Sequence, residues 1–133
     1  MNAVPLFCRL VCNHTMLRRL QRPSSLLPIA RRCIQYLNKV ESVPPPGAFS
    51  RATIHEGMVH VSGTGGVSND TASGEVEVLS VHEETTRALE NVATILRAAG
   101  SAPDRIVSAT MLLSHKDDYA ECNHAYVSYL PST

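Results

Sequence analysis

The sequence has no tryptophan, two phenylalanines and four tyrosines, and no acidic residue before Glu41. Its apolar runs are only a few residues long, whereas a bilayer-spanning helix needs about 20, so no membrane span is expected. The cysteines, Cys8, Cys12, Cys33 and Cys122, form no CxxC pair and no even framework, which speaks against a disulfide scaffold or a zinc site. Helical metal-binding pairs of histidine are absent too, and no cofactor motif is complete. Gly63-Thr64-Gly65-Gly66 resembles half of a phosphate loop but lacks the Gly-Lys-Ser/Thr ending, so it reads as a turn.

What is present is divided sharply by charge. Residues 1–40 hold seven Lys/Arg and no acid, while residues 41–133 hold five basic and twelve acidic residues, a net of −7. The Arg- and Leu-rich segment 1–42, without an acid through residue 40, reads as a mitochondrial transit peptide directing the protein to the matrix, with cytoplasmic residence as the alternative. Met16 opens a second start of the same character. The acidic remainder lacks the basic patches that phosphate backbones require, so no nucleic-acid partner is expected.

Val43-Pro44-Pro45-Pro46-Gly47 marks a boundary, because three consecutive prolines favour extended chain over helix. At 133 residues the chain accommodates one compact domain, here expected over 48–133. Ala48 to Ile54 and Met58 to Ser62 read as strands joined by a tight turn at His55-Glu56-Gly57. Residues 63–74 read as loop. Ser80-Val81-His82-Glu83 fits a capping box. Ala88, Leu89, Val92, Ile95, Leu96 and Ala99 then form one apolar stripe, closed by Gly100 as a left-handed cap. Arg105 to Leu113 reads as a third, largely buried strand. A second helix should start at Asp117-Asp118, bury Tyr119, Cys122, Tyr126 and Tyr129 or Leu130, and end at Pro131. The reading is α+β in the order ββαβα, with fewer strands than two amphipathic helices need to cover their stripes.

Several of these segments resemble the RidA family, also called YjgF or endoribonuclease L-PSP. Gly47-Ala48-Phe49-Ser50-Arg51-Ala52 and Val59-His60-Val61-Ser62-Gly63-Thr64-Gly65 are similar to its paired opening strands, read as G-P-Y-S-Q-A and V/I-S-G-Q. Glu84-Thr85-Thr86-Arg87-Ala88-Leu89-Glu90-Asn91 and Asp118-Tyr119-Ala120-Glu121-Cys122-Asn123-His124 are similar to its two helices. The resemblance implies a chorismate-mutase-like fold lacking its last two strands, assembled as a homotrimer with sites between subunits. It implies hydrolysis of small enamine/imine substrates to keto acids and ammonia, with no metal or cofactor. Phe49, Ser50, Arg51, Ser62, Gly63 and Thr64 are the substrate-binding residues it implies. Phe49 replaces a tyrosine, and Arg51 and Thr64 replace glutamines. The family's carboxylate-gripping arginine, in a Pro-Ala-Arg motif, and its late glutamate fall past Thr133, so no catalytic residue is assigned. A catalytically silent ligand-binding or scaffold subunit is the alternative, and endoribonuclease activity is less favoured in so acidic a domain.

Overall fold

The computed structural model describes residues 7–13, 34–43, 48–66 and 79–130. Along the chain run β1 (Phe7–Asn13), β2 (Gln35–Leu37), β3 (Ala52–His55), β4 (Met58–Thr64), α1 (Val81–Ala98), β5 (Ile106–Leu112) and α2 (Tyr119–Tyr129). The order β3-β4-α1-β5-α2 is the expected ββαβα unit. All ladders are antiparallel, in one five-stranded sheet ordered β2-β3-β4-β1-β5, and the class is α+β.

The β3–β4 hairpin closes where the sequence places it. His55 pairs with Met58, and the two residues between them, Glu56 (φ 49) and Gly57 (φ 78), both take positive φ. That is the backbone of a tight hairpin turn whose twist matches its strands, and glycine takes it without steric cost. Register pairs Ala52 with Val61 and Ile54 with Val59, so one face of the hairpin is apolar and points at the helices.

Helix α1 is the best-defined element. Ser80 accepts from the Glu83 amide and the Glu83 carboxylate accepts from the Ser80 amide, completing the capping box. The predicted stripe is buried along its length, with Ile95 and Leu96 at 0 % exposure. Gly100 (φ 78) ends the helix as expected, its amide and that of Ser101 donating to the Arg97 and Leu96 carbonyls.

Three expectations are corrected. The sheet has five strands rather than three, because β1 and β2 come from the segment read as leader. β4 and β5 are joined through α1 and run parallel to each other, one strand position apart. β1 lies between them and is antiparallel to both, pairing Val11 with His60 on one side and Ser108 on the other. Net charge describes a segment's solubility and partners, not its backbone hydrogen bonding, so it gave no sign of this strand. Next, β5 is not largely buried: among the described residues it is an edge strand with one neighbour, and Val107 and Leu112 are exposed. Finally, Tyr119 is exposed (65 %), because the inward face of α2 is set by Cys122 and Ala125, with Tyr126 and Tyr129 packed on the core. Asp118 makes no side-chain cap; a 3-10 turn over Lys116–Asp118 leads into α2 instead. The Glu121 carboxylate, read as part of that helix start, accepts from the His82 amide at 3.2 Å and braces α2 against the start of α1.

The prolines at 44–46 with Gly47, the loop over 67–78, Cys33, Pro131 and leader residues 14–33 lie outside the described residues.

Candidate functional site

The residues singled out by resemblance meet at the end of the sheet where β2, β3 and β4 adjoin. The Arg51 amide donates to the Leu37 carbonyl (2.7 Å), and the Ser62 amide donates to the Arg51 carbonyl (2.9 Å), so both ladders extend one step past the ends of the strands. Side chains then cross-link the strands. Ser62 Oγ donates to the Ser50 carbonyl (2.6 Å), and Ser50 Oγ donates to Asn38 Oδ1 (2.7 Å). Asn38 was not among the sequence candidates. It lies twelve residues from Ser50, on the far side of the proline-rich boundary, and no local pattern announces the contact.

Six residues were expected in one cleft, and the structure divides them. Ser50, Arg51 and Ser62 are joined by the bonds just described, and Phe49 adjoins them with its ring exposed (57 %). Gly63 is half-buried. Thr64 is turned into the protein at 2 % exposure, and its hydroxyl is committed to the Ser62 carbonyl at 2.9 Å. Strict alternation would put Ser62 and Thr64 on one face, but the register with β1 slips between Cys8 and Leu10, carrying Thr64 inward.

The chain leaving β4 is pinned to α1. Asn91 Nδ2 donates to the Gly65 carbonyl (3.0 Å). A Cβ on Gly66 would run into the backbone of Glu84, so only glycine permits that approach. The corner is therefore held from two sides, by β-ladders and by a helix, and its polar groups sit on rigid elements.

Arg51 is the unusual member. Its residue is 7 % exposed, and its Nε is buried without a hydrogen-bond partner. Desolvation by burial pulls the guanidinium below its ordinary value. It is the only buried charged side chain among the described residues. His55 Nδ1 is also buried and unpartnered, while its Nε2 lies 3.9 Å from the Glu56 carboxylate in the hairpin turn.

Other chemistry is sparse. No cluster of three or more His, Cys, Asp or Glu able to hold a metal occurs among the described residues. Cys122 is buried and free, as expected of a packed thiol. The His82 and His124 rings, on α1 and α2, lie 5.8 Å apart and tilted. No described helix is long and apolar enough to cross a membrane.

Comparison with known proteins places this geometry in context. A bovine (Bos taurus) 2-iminobutanoate/2-iminopropanoate deaminase is 36 % identical over 87 residues, covering 65 % of this chain. The chain spans 62 % of that relative's length. The fission-yeast (Schizosaccharomyces pombe) protein mmf2, mitochondrial, is 31 % identical over 85 residues, 64 % of each chain. A solved structure from Entamoeba histolytica carrying the endoribonuclease L-PSP label superposes with a TM-score of 0.64 at 29 % identity, covering 72 % of this chain and 75 % of that one. A family profile described as Endoribonuclease L-PSP matches residues 40–133, most of the chain, including Ser50, Arg51 and Ser62. The chain therefore belongs to the endoribonuclease L-PSP family, the RidA-type family whose motifs it carries.

Proposed function

We propose that the protein hydrolyses small enamine/imine intermediates to keto acids and ammonia, using the corner of Ser50, Arg51 and Ser62. The observation that carries this reading is the cross-link at Ser62, which ties Ser50 and Arg51 to one rigid strand end in a chain whose relatives are named imine deaminases. Imine hydrolysis needs little machinery: water adds to the C=N carbon, the resulting carbinolamine passes a proton to nitrogen, and the C–N bond breaks to leave a carbonyl and ammonia. What a protein supplies is a fixed polar surface that orients water and substrate. Ser50 Oγ is held by its donation to Asn38, which leaves its lone pairs free to accept from an incoming water. No metal or cofactor enters this scheme.

Burial of Thr64 favours a second reading, a ligand-binding or scaffold subunit without turnover, because one of the expected cleft hydroxyls faces inward. The test separates the two. Full-length protein is added to a pyridoxal-phosphate threonine dehydratase releasing 2-iminobutanoate, and keto-acid formation is followed. Acceleration supports the deaminase; binding without acceleration supports the silent subunit and overturns the deaminase.

The proposal extends to location and assembly. The acid-free segment and a relative named as mitochondrial support a matrix address. Because Phe7–Asn13 is an interior strand, reading that address requires the strand to be unpaired. Tyr36, His60 and Leu112 remain exposed on the sheet face away from the helices, which supports a homotrimer packed through that face.

A further inference from the structure

We infer that β1 masks the targeting segment it belongs to, so the chain is readable as a leader only while the sheet is open. The inference rests on the reading of residues 1–42 as a leader and adds to it a regulation built into the fold. Its physical basis is the place of β1 in the sheet. β4 and β5 are joined through α1 and lie one strand position apart, which leaves a slot one strand wide. β1 fills that slot, pairing Cys8 to Asn13 with β4 and Phe7 to Cys12 with β5. Its backbone is engaged on both sides, and its departure would also strip a ladder from each neighbour. A factor that reads the segment as a separate basic peptide needs that backbone released. The two states exclude each other, so closing the sheet reduces the apparent affinity of any such factor by the fraction of molecules left open.

Two features suit β1 to a strand that both docks and leaves. The first is charge. Residues 1–40 hold seven Lys/Arg and no acid, a charge of +7, against −7 for residues 41–133. The leader and the domain therefore attract one another, and the domain competes with any outside acceptor for the same basic segment. The second is fit. The β2–β3 and β3–β4 ladders run in unbroken register, whereas β1 slips against β4 between Cys8 and Leu10 and against β5 between Val11 and Cys12. Each slip disrupts the ladder locally, so β1 is held less regularly than the hairpin beside it. Removal of the leader before β2 would take β1 with it, so the five-stranded sheet belongs to the unprocessed chain.

Two readouts on the full-length chain test this. Limited trypsin digestion followed by mass spectrometry reads the Arg9–Leu10 bond. Uptake by isolated mitochondria compares natively folded protein with urea-denatured protein diluted into the assay. The expected results are cleavage after Arg9 at least about a hundredfold slower in the native chain, and uptake about tenfold or more slower. Thr110→Gly, in β5 opposite Arg9, and Ser108→Pro, opposite Val11, loosen the β1–β5 ladder without touching the leader and should raise both native rates. Circular dichroism and a cooperative melt show which variant stays folded, and only a folded one is compared. A standard matrix presequence appended ahead of Met1 separates masking from slow unfolding of the domain, and should bring native uptake to the denatured rate. If the lag persists with that presequence, unfolding and not masking limits uptake, and the proposal is overturned. Native uptake as fast as denatured uptake, or equally fast cleavage after Arg9 in both states, also overturns it and leaves the leader standing. Uptake only with the appended presequence, even after denaturation, overturns the leader reading itself, on which the masking depends.

Discussion

Along α1 each buried polar side chain has a partner, whereas at the β2–β3–β4 corner a buried guanidinium nitrogen has none. Thr85 is 0 % exposed and its hydroxyl donates to the Val81 carbonyl (2.7 Å); Asn91 spans to the Gly65 carbonyl; the helix start is closed by reciprocal bonds between Ser80 and Glu83. Its apolar stripe lies on the sheet with Ile95 and Leu96 fully enclosed. Arg51, 7 % exposed, lacks that completeness. Both regions sit on well-formed secondary structure, so the difference is not one of order. It separates chain that is complete by itself from chain that needs something added, and sites of function are where local rules are expected to be broken.

The comparison can be broken from either side. The largest effect belongs to the strand beneath α1. Val11→Pro removes an amide donor from an interior position paired on both sides, and a cooperative urea transition should be lost. If β1 were dispensable, the transition would be unchanged. Ile95→Ala leaves a cavity in the α1 layer and should cost about 2–5 kcal/mol in equilibrium unfolding, with specific activity per folded molecule retained. A matching loss of activity in the folded fraction would show that the two regions are not separable. Ser80→Ala removes the helix cap and should cost about 1 kcal/mol. That cap also has a pH signature. The Ser80 amide and hydroxyl hold the Glu83 carboxyl below its ordinary value of 4.5, so the folded state releases this proton more readily than the unfolded chain. Its contribution is present above pH 4.5 and fades as pH falls through the lowered value. Glu83→Gln should flatten stability across that acid range; an unchanged acid limb would mean the capping box contributes nothing there.

How much of this was legible in the sequence follows from how local each signal is. The capping box at Ser80, the Gly100 terminus, the Glu56-Gly57 turn and the stripe ending at Ala99 are each set within a few residues, and all four lie where the pattern puts them. β1 was hidden because a strand between two others is fixed by what it pairs with, here His60 and Ser108, residues about 50 and 100 positions away. The exposure of Val107 and Leu112 was hidden for a related reason: an edge position is a property of sheet order, not of the strand's own sequence. At the site, Ser50, Arg51 and Ser62 were recognised through motif resemblance, while Asn38 and the inward turn of Thr64 depend on a long-range hydrogen bond and a register slip. Resemblance also placed an arginine where the family commonly has glutamine, but only the fold reveals that it is buried.

The central claim is that Arg51 belongs to the site corner and not to the supports of the fold. Equilibrium unfolding of Arg51→Met beside the unmodified protein and Ile95→Ala, without added anion, tests it most directly. Replacing a buried charge by an apolar chain of similar length removes a desolvation penalty, so Arg51→Met should be as stable as the unmodified protein or more stable. A loss of stability comparable to that of Ile95→Ala would make Arg51 a structural residue and contradict the account.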